Sequence, residues 1–521
     1  MQTLQRTAAA LIFPAIAWLG AACEPQAPTE APPPPVMQMT GDPTLVVDDD
    51  GLASATDCND LFTTAFMTIS AAVAAANPGD VIKVCPGVYA EQVFIGFNAN
   101  NVALNNLTLL GAKAGVDART RAFVLTDESI IDHPCGPVQI AADNVTLDGF
   151  TVQGSSTFTD PPCGGGGFIA GIWTPESGTL HSGHKIRNNI VQNNIEGIFL
   201  NSTCTIPTVV QFNLIRNNNN LAPNVLGREK GIFSEDLCNT TIDGNKFSGH
   251  LNSSVNVHPR ASSARNLDVT NNELVGGTSE GIVFSFVSTA TISGNVSIGS
   301  TSSGTVRLDG GNSNITINSN TLFNGMRGIL VGNGPNEGVV AHFNCIQGNS
   351  VAGLEVSGTH FGILQAENDW WGSPNGPTNP NNPGGTGDKI IDPNGVVNFV
   401  PFLTQCATGP QAPTQVNGGG QINVTGGRGS FGFSAKQSTG GHLDYMNHVS
   451  RAHLNCTVQV VMITAPNMAH LEGTCTKSAA SSFKADVEDN DKTSDKFTIT
   501  YPATGGTTEG GTIRSGNIQI H

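Results

Sequence analysis

Short runs in which apolar and polar residues alternate recur through the middle of the chain. Residues 289–293 and 314–318 are examples, with an apolar residue at every second position. Successive side chains of a β-strand point to opposite sides, so this alternation is typical of a strand with one buried face. The pattern predicts many short strands between about residue 140 and residue 370.

Asparagine and glycine divide these strands into repeats. The spacings between successive repeats are 24, 32, 27, 23, 25 and 24 residues for one asparagine series: Asn189, Asn213, Asn245, Asn272, Asn295, Asn320 and Asn344. A parallel series is formed by glycines: Gly197, Gly231, Gly281, Gly304, Gly328 and Gly353. A period near 24 residues with short strands predicts a β-helix, in which each coil buries its apolar side chains against the next coil. Asparagine tolerates tight turns and stacks in ladders, so we interpret these asparagines as structural.

One short helix is predicted where the repeats begin. Ile69, Val73 and Ala76 fall on one face of a helix, and Pro78 and Gly79 end it. An amphipathic helix at this place would cover the exposed end of the solenoid.

Several segments carry a resemblance to a known family. Residues 68–73, 77–80, 84–89 and 144–150, together with the closing segment Asn-Asp-Trp-Trp-Gly-Ser-Pro at 368–374, resemble the pectate-lyase-like (pectin-lyase-like) right-handed parallel β-helix superfamily of exported bacterial proteins. The resemblance covers residues 45–406 and implies an all-β fold. It does not imply one activity, because the superfamily holds lyases, hydrolases, epimerases and non-enzymatic surface proteins.

Residues 411–521 have a different pattern. Several short alternating strands, separated by glycine-rich and polar segments, predict a small antiparallel β-sandwich. Nothing in this segment indicates whether its role is ligand binding, attachment or secretion.

The first residues predict export. An apolar run follows Arg6 and ends in small residues, so residues 1–22 are interpreted as a signal peptide and residues 23–44 as a proline-rich tether. Leu19 to Cys23 resembles a lipoprotein box, but Leu lies one position further from the Cys than usual. Lipidation of Cys23, which would attach the chain to a membrane, and plain secretion both remain open.

The remaining ten cysteines form near pairs along the chain. We expect these to be local disulfides, as suits an oxidising compartment outside the cytoplasm: Cys58 with Cys85, Cys135 with Cys163, Cys204 with Cys238, Cys345 with Cys406, and Cys456 with Cys475.

The charge restricts the classes of partner. The chain has 24 basic and 41 acidic residues and a formal net charge of −17. Such a surface repels nucleic acids and other polyanions unless cations intervene, so we expect no nucleic-acid partner. The oligomeric state is open.

The strand ends that follow the glycine series supply the candidate chemistry. Their residues are predicted to form a column along the solenoid: Asn201, Glu235 with Asp236, His258 with Arg260, Ser285, Asp309 and Asn333. For an enzyme, the catalytic candidates are His258, Arg260 and Lys230, since acids beside His and Arg can abstract a sugar-ring proton. The ligand-binding candidates are Glu235, Asp236, Asp309 and Trp173. Ca²⁺ is the one cofactor that these acids, or the acidic loop Asp486–Asp495, would accommodate. The competing interpretation is that they are solvated turn residues.

Three functions remain open. Known active sites of the resembled superfamily match poorly, since residues 130–133 lack the arginine motif of pectate lyases and the Asp motifs of polygalacturonases are missing. We therefore expect a non-catalytic surface protein that contacts carbohydrate. The alternatives are a lyase or epimerase acting on an acidic polysaccharide, and a structural or adhesive surface component.

Overall fold

The computed structural model describes residues 44–157, 163, 169–175, 180–220, 228–259, 264–275, 279–406, 415–436, 440–465, 468–476, 479–490, 494–502 and 506–520. The predicted signal peptide, nearly all of the tether, Cys23 and Arg260 lie outside these residues. Within them, no helix has the length and hydropathy needed to cross a bilayer.

Three parallel sheets make up the larger part of the described chain, and each coil contributes one strand to each sheet in turn. Sheet I contains Leu45–Val47, Val81–Val84, Thr108–Leu110, Thr146–Asp148, Lys185–Arg187, Thr208–Gln211, Cys238–Asp243, Ala264–Thr270, Val287–Ser293, Ser313–Asn318, Pro335–His342, Thr359–Phe361, Leu364–Gln365 and Val397–Asn398. Sheet II contains Gly87–Tyr89, Ser129–Asp132, Phe150–Gln153, Ile190–Gln192, Leu214–Arg216, Lys246–Ser248, Glu273–Val275, Val296–Ile298, Thr321–Phe323 and Cys345–Gln347. Sheet III contains Val93–Ile95, Val138–Ile140, Ala170–Trp173, Glu196–Phe199, Ile232–Ser234, Ser253–Val257, Glu280–Phe284, Val306–Asp309, Arg327–Gly332, Ala352–Val356, Pro377–Thr378 and Gly387–Ile391. This arrangement is a parallel β-helix and confirms the predicted fold class.

The core of the β-helix is a stack of aliphatic side chains. In sheet III, for example, Ile198 lies opposite Ile232, which lies opposite Val255, and all three are fully buried. The same alternation that predicted half-buried strands therefore places one apolar column per sheet inside the solenoid.

A ladder of buried asparagines joins the coils at the corner between sheets I and II. Each backbone N–H and side-chain amide donates to the amide oxygen of the next rung, as from Asn272 to Asn295 at 3.0 Å for both bonds. Each rung also donates to a backbone carbonyl, as Asn295 does to Val269 at 2.8 Å. The predicted structural role of the asparagine series is confirmed.

The ladder ends on an acid. Asp369 is fully buried, and its Oδ1 accepts from the backbone and side-chain amides of Asn344 at 2.7 and 2.9 Å. Its Oδ2 makes no hydrogen bond within the described part of the chain. Burial raises the pKa of this carboxyl well above its ordinary value, so the folded state favours the neutral acid.

We expect Asp369→Asn to stabilise the β-helix at pH 7 by about 1–3 kcal/mol, because an amide removes the cost of a buried, unpaired carboxylate. An acid whose folded pKa is raised is stabilising only at low pH, and this contribution is lost as the pH rises. The gain should therefore be smaller at pH 4 than at pH 7 in urea unfolding. An equal gain at both pH values would contradict this account.

The predicted helix covers the beginning of the stack. It spans Ile69–Ala75, Thr68 caps it by accepting from the N–H of Ala71, and Ile69, Ala72 and Val73 are buried in the β-helix core. A single 3-10 turn, Leu125–Asp127, is the other helical element among the described residues.

All five predicted disulfides are present, each joining the cysteines that are near neighbours in the sequence. Disulfides persist in oxidising compartments, so the pairing indicates that the chain folds outside the cytoplasm.

The C-terminal residues form one antiparallel sheet of nine described strands: Gln415–Val424, Gly427–Lys436, Gly440–Asn447, His453–Ala465, Met468–Cys475, Ser482–Glu488, Lys496–Tyr501, Thr507–Thr512 and Ser515–Ile520. Phe431 and Phe497 stack at 4.0 Å, although five strand steps separate them in the sheet, about 24 Å if the sheet were flat. The sheet therefore curls strongly. The core expected between two packed sheets is enclosed by one sheet that folds back on itself.

Two buried histidines make the stability of the β-helix sensitive to acid. Burial lowers the pKa of His184 and of His250 to about 4 each. The unfolded chain, with a histidine pKa of about 6.5, binds more protons between these values, so stability is full above about pH 6.5 and falls as the pH approaches 4. The loss should reach about 3 kcal/mol for each histidine. In urea unfolding from pH 7 to pH 4, His250→Gln should reduce the slope; an unchanged slope would contradict the assignment.

Candidate functional site

The outer face of sheet III carries the charged and aromatic side chains of the candidate site. Since Ile198 and Ile232 point into the core, the alternating Phe199 and Phe233 point outward. Trp173 lies opposite Phe199 in the register of the sheet. The strand pairing therefore aligns these outward residues, one from each coil, in a single row along the sheet.

The first part of this row is a small aromatic cluster. The rings of Trp173 and Phe199 meet edge to face at 6.5 Å, and those of Phe199 and Phe233 at 5.5 Å. Phe199 and Phe233 are buried, while Trp173 is half-buried. The predicted sugar contact of Trp173 is therefore limited to the part of its ring that solvent reaches.

A buried group of charges lies next to the aromatic cluster. The Nζ of Lys230 lies 4.2 Å from the centre of the Phe233 ring. Burial lowers the pKa of Lys230, and the negative charges of Glu196 and Glu235 act in the opposite direction. A lysine with a lowered pKa is closer to acting as a base at neutral pH than an exposed lysine.

Glu196 is not among the residues predicted from the sequence, because it precedes its strand and the predicted column contains only residues that follow the strands. A signal was available, since a charged residue directly precedes the glycine in four coils: Glu196, Lys230, Glu280 and Arg327. These residues begin the outward side of sheet III at the corner with sheet II. The two later members form ion pairs with neighbouring strands, Glu280 with Arg307 and Arg327 with Glu355.

The predicted column of polar residues lies along the opposite border of sheet III, where each coil turns toward sheet I. Ser234 lies opposite Val257, which places Glu235 next to His258 on adjacent coils. One coil before, Asn201 Oδ1 accepts from the backbone N–H groups of Glu235 and Asp236 at 3.0 and 2.9 Å. Glu235 is buried, Asp236 is half-buried and His258 is exposed. Below, this border is called the III–I edge.

The predicted catalytic residues do not meet at one point. Because Ile232 lies opposite Val255, Lys230 is level with the residue two positions before Val255 on the next coil. His258 is five residues further along that coil, so the two backbones are about 16 Å apart along the strand direction. Asp309 lies three coils beyond Glu235 and forms an ion pair with Arg307 at 2.9 Å. The structure thus places Glu235 beside His258, and the charge of Glu235, together with that of Glu196, also acts on Lys230.

The acidic loop of the C-terminal sheet uses part of its carboxylates in the fold. The two oxygens of buried Asp495 accept from the N–H groups of Asn490 and Ile518 at 3.0 and 2.8 Å, and Asp489 accepts from that of Ile520 at 2.9 Å. Throughout the described ranges, no group of three or more His, Cys, Asp or Glu side chains is arranged to hold a metal ion. Ca²⁺ binding remains a prediction from the sequence.

No family model and no curated protein matches the chain. Among solved structures, it is similar to an alginate lyase from Paenibacillus sp. str. FPU-7, with 13% identity over 64% of this chain and 96% of the lyase, and a TM-score of 0.31. It is also similar to tailspike gp49 of Acinetobacter baumannii bacteriophage Fri1, a capsular polysaccharide depolymerase, with 10% identity over 91% of this chain and 83% of gp49 (TM-score 0.29). Tailspike protein 2 of bacteriophage CBA120 gives 10% identity over 88% of this chain and 75% of that chain (TM-score 0.29). Likenesses this weak do not assign an activity or a site.

Proposed function

We propose that the chain is an exported protein whose β-helix binds polysaccharide along the III–I edge. The observation that supports this most directly is the placement of Asn201, Glu235, His258 and Ser285 on successive coils of that edge. Neighbouring coils are about 4.8 Å apart, so polar groups recur at a fixed interval; His258 is exposed, while Asn201, Glu235 and Ser285 are buried. A fixed interval of such groups suits a polymer that itself repeats.

The compartment is part of the proposal. The five disulfides fit a chain that meets its ligand outside the cytoplasm. Release after signal-peptide cleavage and attachment through a lipid on Cys23 are both compatible with binding of an extracellular glycan. Metabolic labelling with a fatty-acid analogue, compared between the native chain and Cys23→Ser, distinguishes them.

A second candidate function is a polysaccharide lyase or epimerase. It is favoured by Lys230, since burial of its amine beside Phe233 lowers the pKa of that amine, although the charges of Glu196 and Glu235 act in the opposite direction. An unprotonated amine can take the C5 proton of a uronic acid, which is the first step of both reactions. The acidic net charge of −17 opposes a polyanionic substrate, so this function needs a cation at the surface.

Incubation with pectin, alginate and neutral polysaccharides, with and without Ca²⁺, tests both functions. We expect retention of polysaccharide in affinity electrophoresis without new ultraviolet absorbance, and we expect His258→Ala to weaken retention by about tenfold. Ile298→Ala, an exposed substitution on sheet II and away from the III–I edge, is the control. Unsaturated products that disappear in Lys230→Ala would establish the lyase instead, and NMR of the polymer would reveal an epimerase. If the chain neither retains nor alters any polysaccharide, the structural or adhesive function remains.

A further inference from the structure

Two exposed phenylalanine rings lie beyond the polar column, one in the turn from sheet III to sheet I and the other on a strand of sheet I. Phe286 is 52% exposed and Phe361 is 59% exposed. Strand pairing places Ser288 opposite Ser313, Ser313 opposite Glu337, and Glu337 opposite Phe361. Phe361 is thus three coils beyond Ser288, which is two residues after Phe286. The two phenylalanines are therefore separated by about 14 Å along the axis of the solenoid.

The ring of Phe286 is held in place although solvent reaches half of it. Its backbone has φ +54°, a left-handed conformation that bulky residues rarely adopt. A Cβ on Gly311 of the next coil would lie 2.3 Å from Cδ1 of the ring, so the ring lies directly against that glycine. His258 of the preceding coil meets the ring edge to face at 6.2 Å. The ring is therefore fixed between neighbours on two coils and linked to the polar column.

Polar side chains without partners lie between the two rings. Ser313 is half-buried, and Glu337 and Thr359 are exposed. Their side-chain oxygens make no hydrogen bond in the described parts of the chain, in contrast to the paired charges of sheet III. The strip bounded by Phe286 and Phe361 thus combines two apolar ring faces with unused hydrogen-bonding groups.

This combination matches the chemistry of a sugar chain. A pyranose has an apolar face that packs on an aromatic ring and hydroxyl groups that bond to carboxylate and hydroxyl oxygens. The strip contains the carboxylate of Glu337, and Asp309 of the same edge shares the cation of Arg307 with Glu280. A free carboxylate accepts hydrogen bonds from hydroxyl groups but repels the carboxylate of a uronic acid.

We propose that the strip from Phe286 to Phe361 is a subsite for a neutral oligosaccharide, bound by stacking on both rings and by hydrogen bonds to Ser313, Glu337 and Thr359. This inference rests on the proposed function and specifies its ligand class. It also explains why an apolar ring is kept on the surface in a strained backbone conformation, which is typical of functional positions.

Titration calorimetry of the full chain tests the subsite with cello-, malto-, xylo- and chito-hexaose and with hexagalacturonate. We expect at least one neutral hexasaccharide to bind, and Phe286→Ala and Phe361→Ala each to raise its Kd about tenfold. Phe286→Tyr should retain binding, because the ring face is preserved. Phe62→Ala, at a 96% exposed ring in the first coils, should leave the Kd unchanged. Thermal unfolding of each variant verifies that the fold is intact.

The outcomes separate the subsite from the function on which it rests. Binding of a neutral hexasaccharide with the same Kd in both phenylalanine variants would refute the subsite and leave polysaccharide binding in place. Binding of hexagalacturonate alone would refute the neutral ligand class. If no oligosaccharide and no polysaccharide of the panel binds, the proposed function fails together with the subsite.

Discussion

Arg121→Ala is expected to destabilise the β-helix by about 3–5 kcal/mol, because it leaves a buried carboxylate without its cation. Glu128 is fully buried, and its two oxygens accept from Nε and Nη2 of Arg121 at 3.0 Å each. Arg121 also donates to the backbone carbonyls of Asn188 and Phe150 at 2.6 and 3.2 Å. The side chain therefore ties the segment before sheet II to two later coils.

The free energy of unfolding from urea titration measures this effect. Lys246→Ala is the matched control, since the side chains of its ion pair with Glu273 are 32% and 47% exposed and the pair should contribute less than about 1 kcal/mol. Glu128→Gln in the Arg121→Ala background should recover part of the loss, because it removes the unpaired charge. Equal effects of the two single alanine variants would show that burial does not determine the contribution of Arg121.

Asn295→Ala is expected to cost about 3 kcal/mol or more, because several buried groups lose their partners at once. The side-chain oxygen of Asn295 accepts two bonds from Asn272, and its amide donates to Val269 and Asn320. Alanine removes all four. Asn295 is 1% exposed, so these four bonds lie within the protein interior.

Unfolding of Asn295→Ala in urea should shift the midpoint strongly, while the exposed Asn100→Ala should shift it by less than about 0.5 kcal/mol. Asn295→Asp provides a second variant: the acceptor bonds survive, the protonated carboxyl keeps one donor at low pH, and both donor bonds are lost when the carboxyl is ionised. A loss of less than about 1 kcal/mol in Asn295→Ala would mean that neighbouring rungs rearrange to satisfy one another.

The repeats made the β-helix predictable, since one period fixes every coil. Asn272 and Asn295 occur at the same place in successive repeats, so their stacking follows from the spacing alone. Three of the disulfides were predictable for the same reason, because their cysteines are 27, 28 and 34 residues apart, close to the length of one coil. The curled C-terminal sheet was harder to predict from the sequence, since its strands contain no repeat that distinguishes one curled sheet from two packed sheets.

The candidate site was predictable only in part. Glu235 and His258 hold equivalent positions after their strands, and the structure places them side by side. Lys230 precedes its strand, so its distance from His258 depends on the register and not on closeness in sequence. The exposed rings of Phe286 and Phe361 gave no signal, because a single apolar residue in a turn has no periodicity that shows which way it points.

The spacing of the two exposed rings is set by the number of coils between them. Phe286 and Phe361 lie on separate turns of one solenoid, so deleting or duplicating a whole repeat would move them closer or further apart by one coil without changing either turn. Inserting or deleting about 24 codons, the length of one repeat, would therefore change the length of the bound glycan segment by one coil in a solenoid of this kind. Selection acting on such units would lengthen or shorten the glycan segment that related chains bind, one coil at a time.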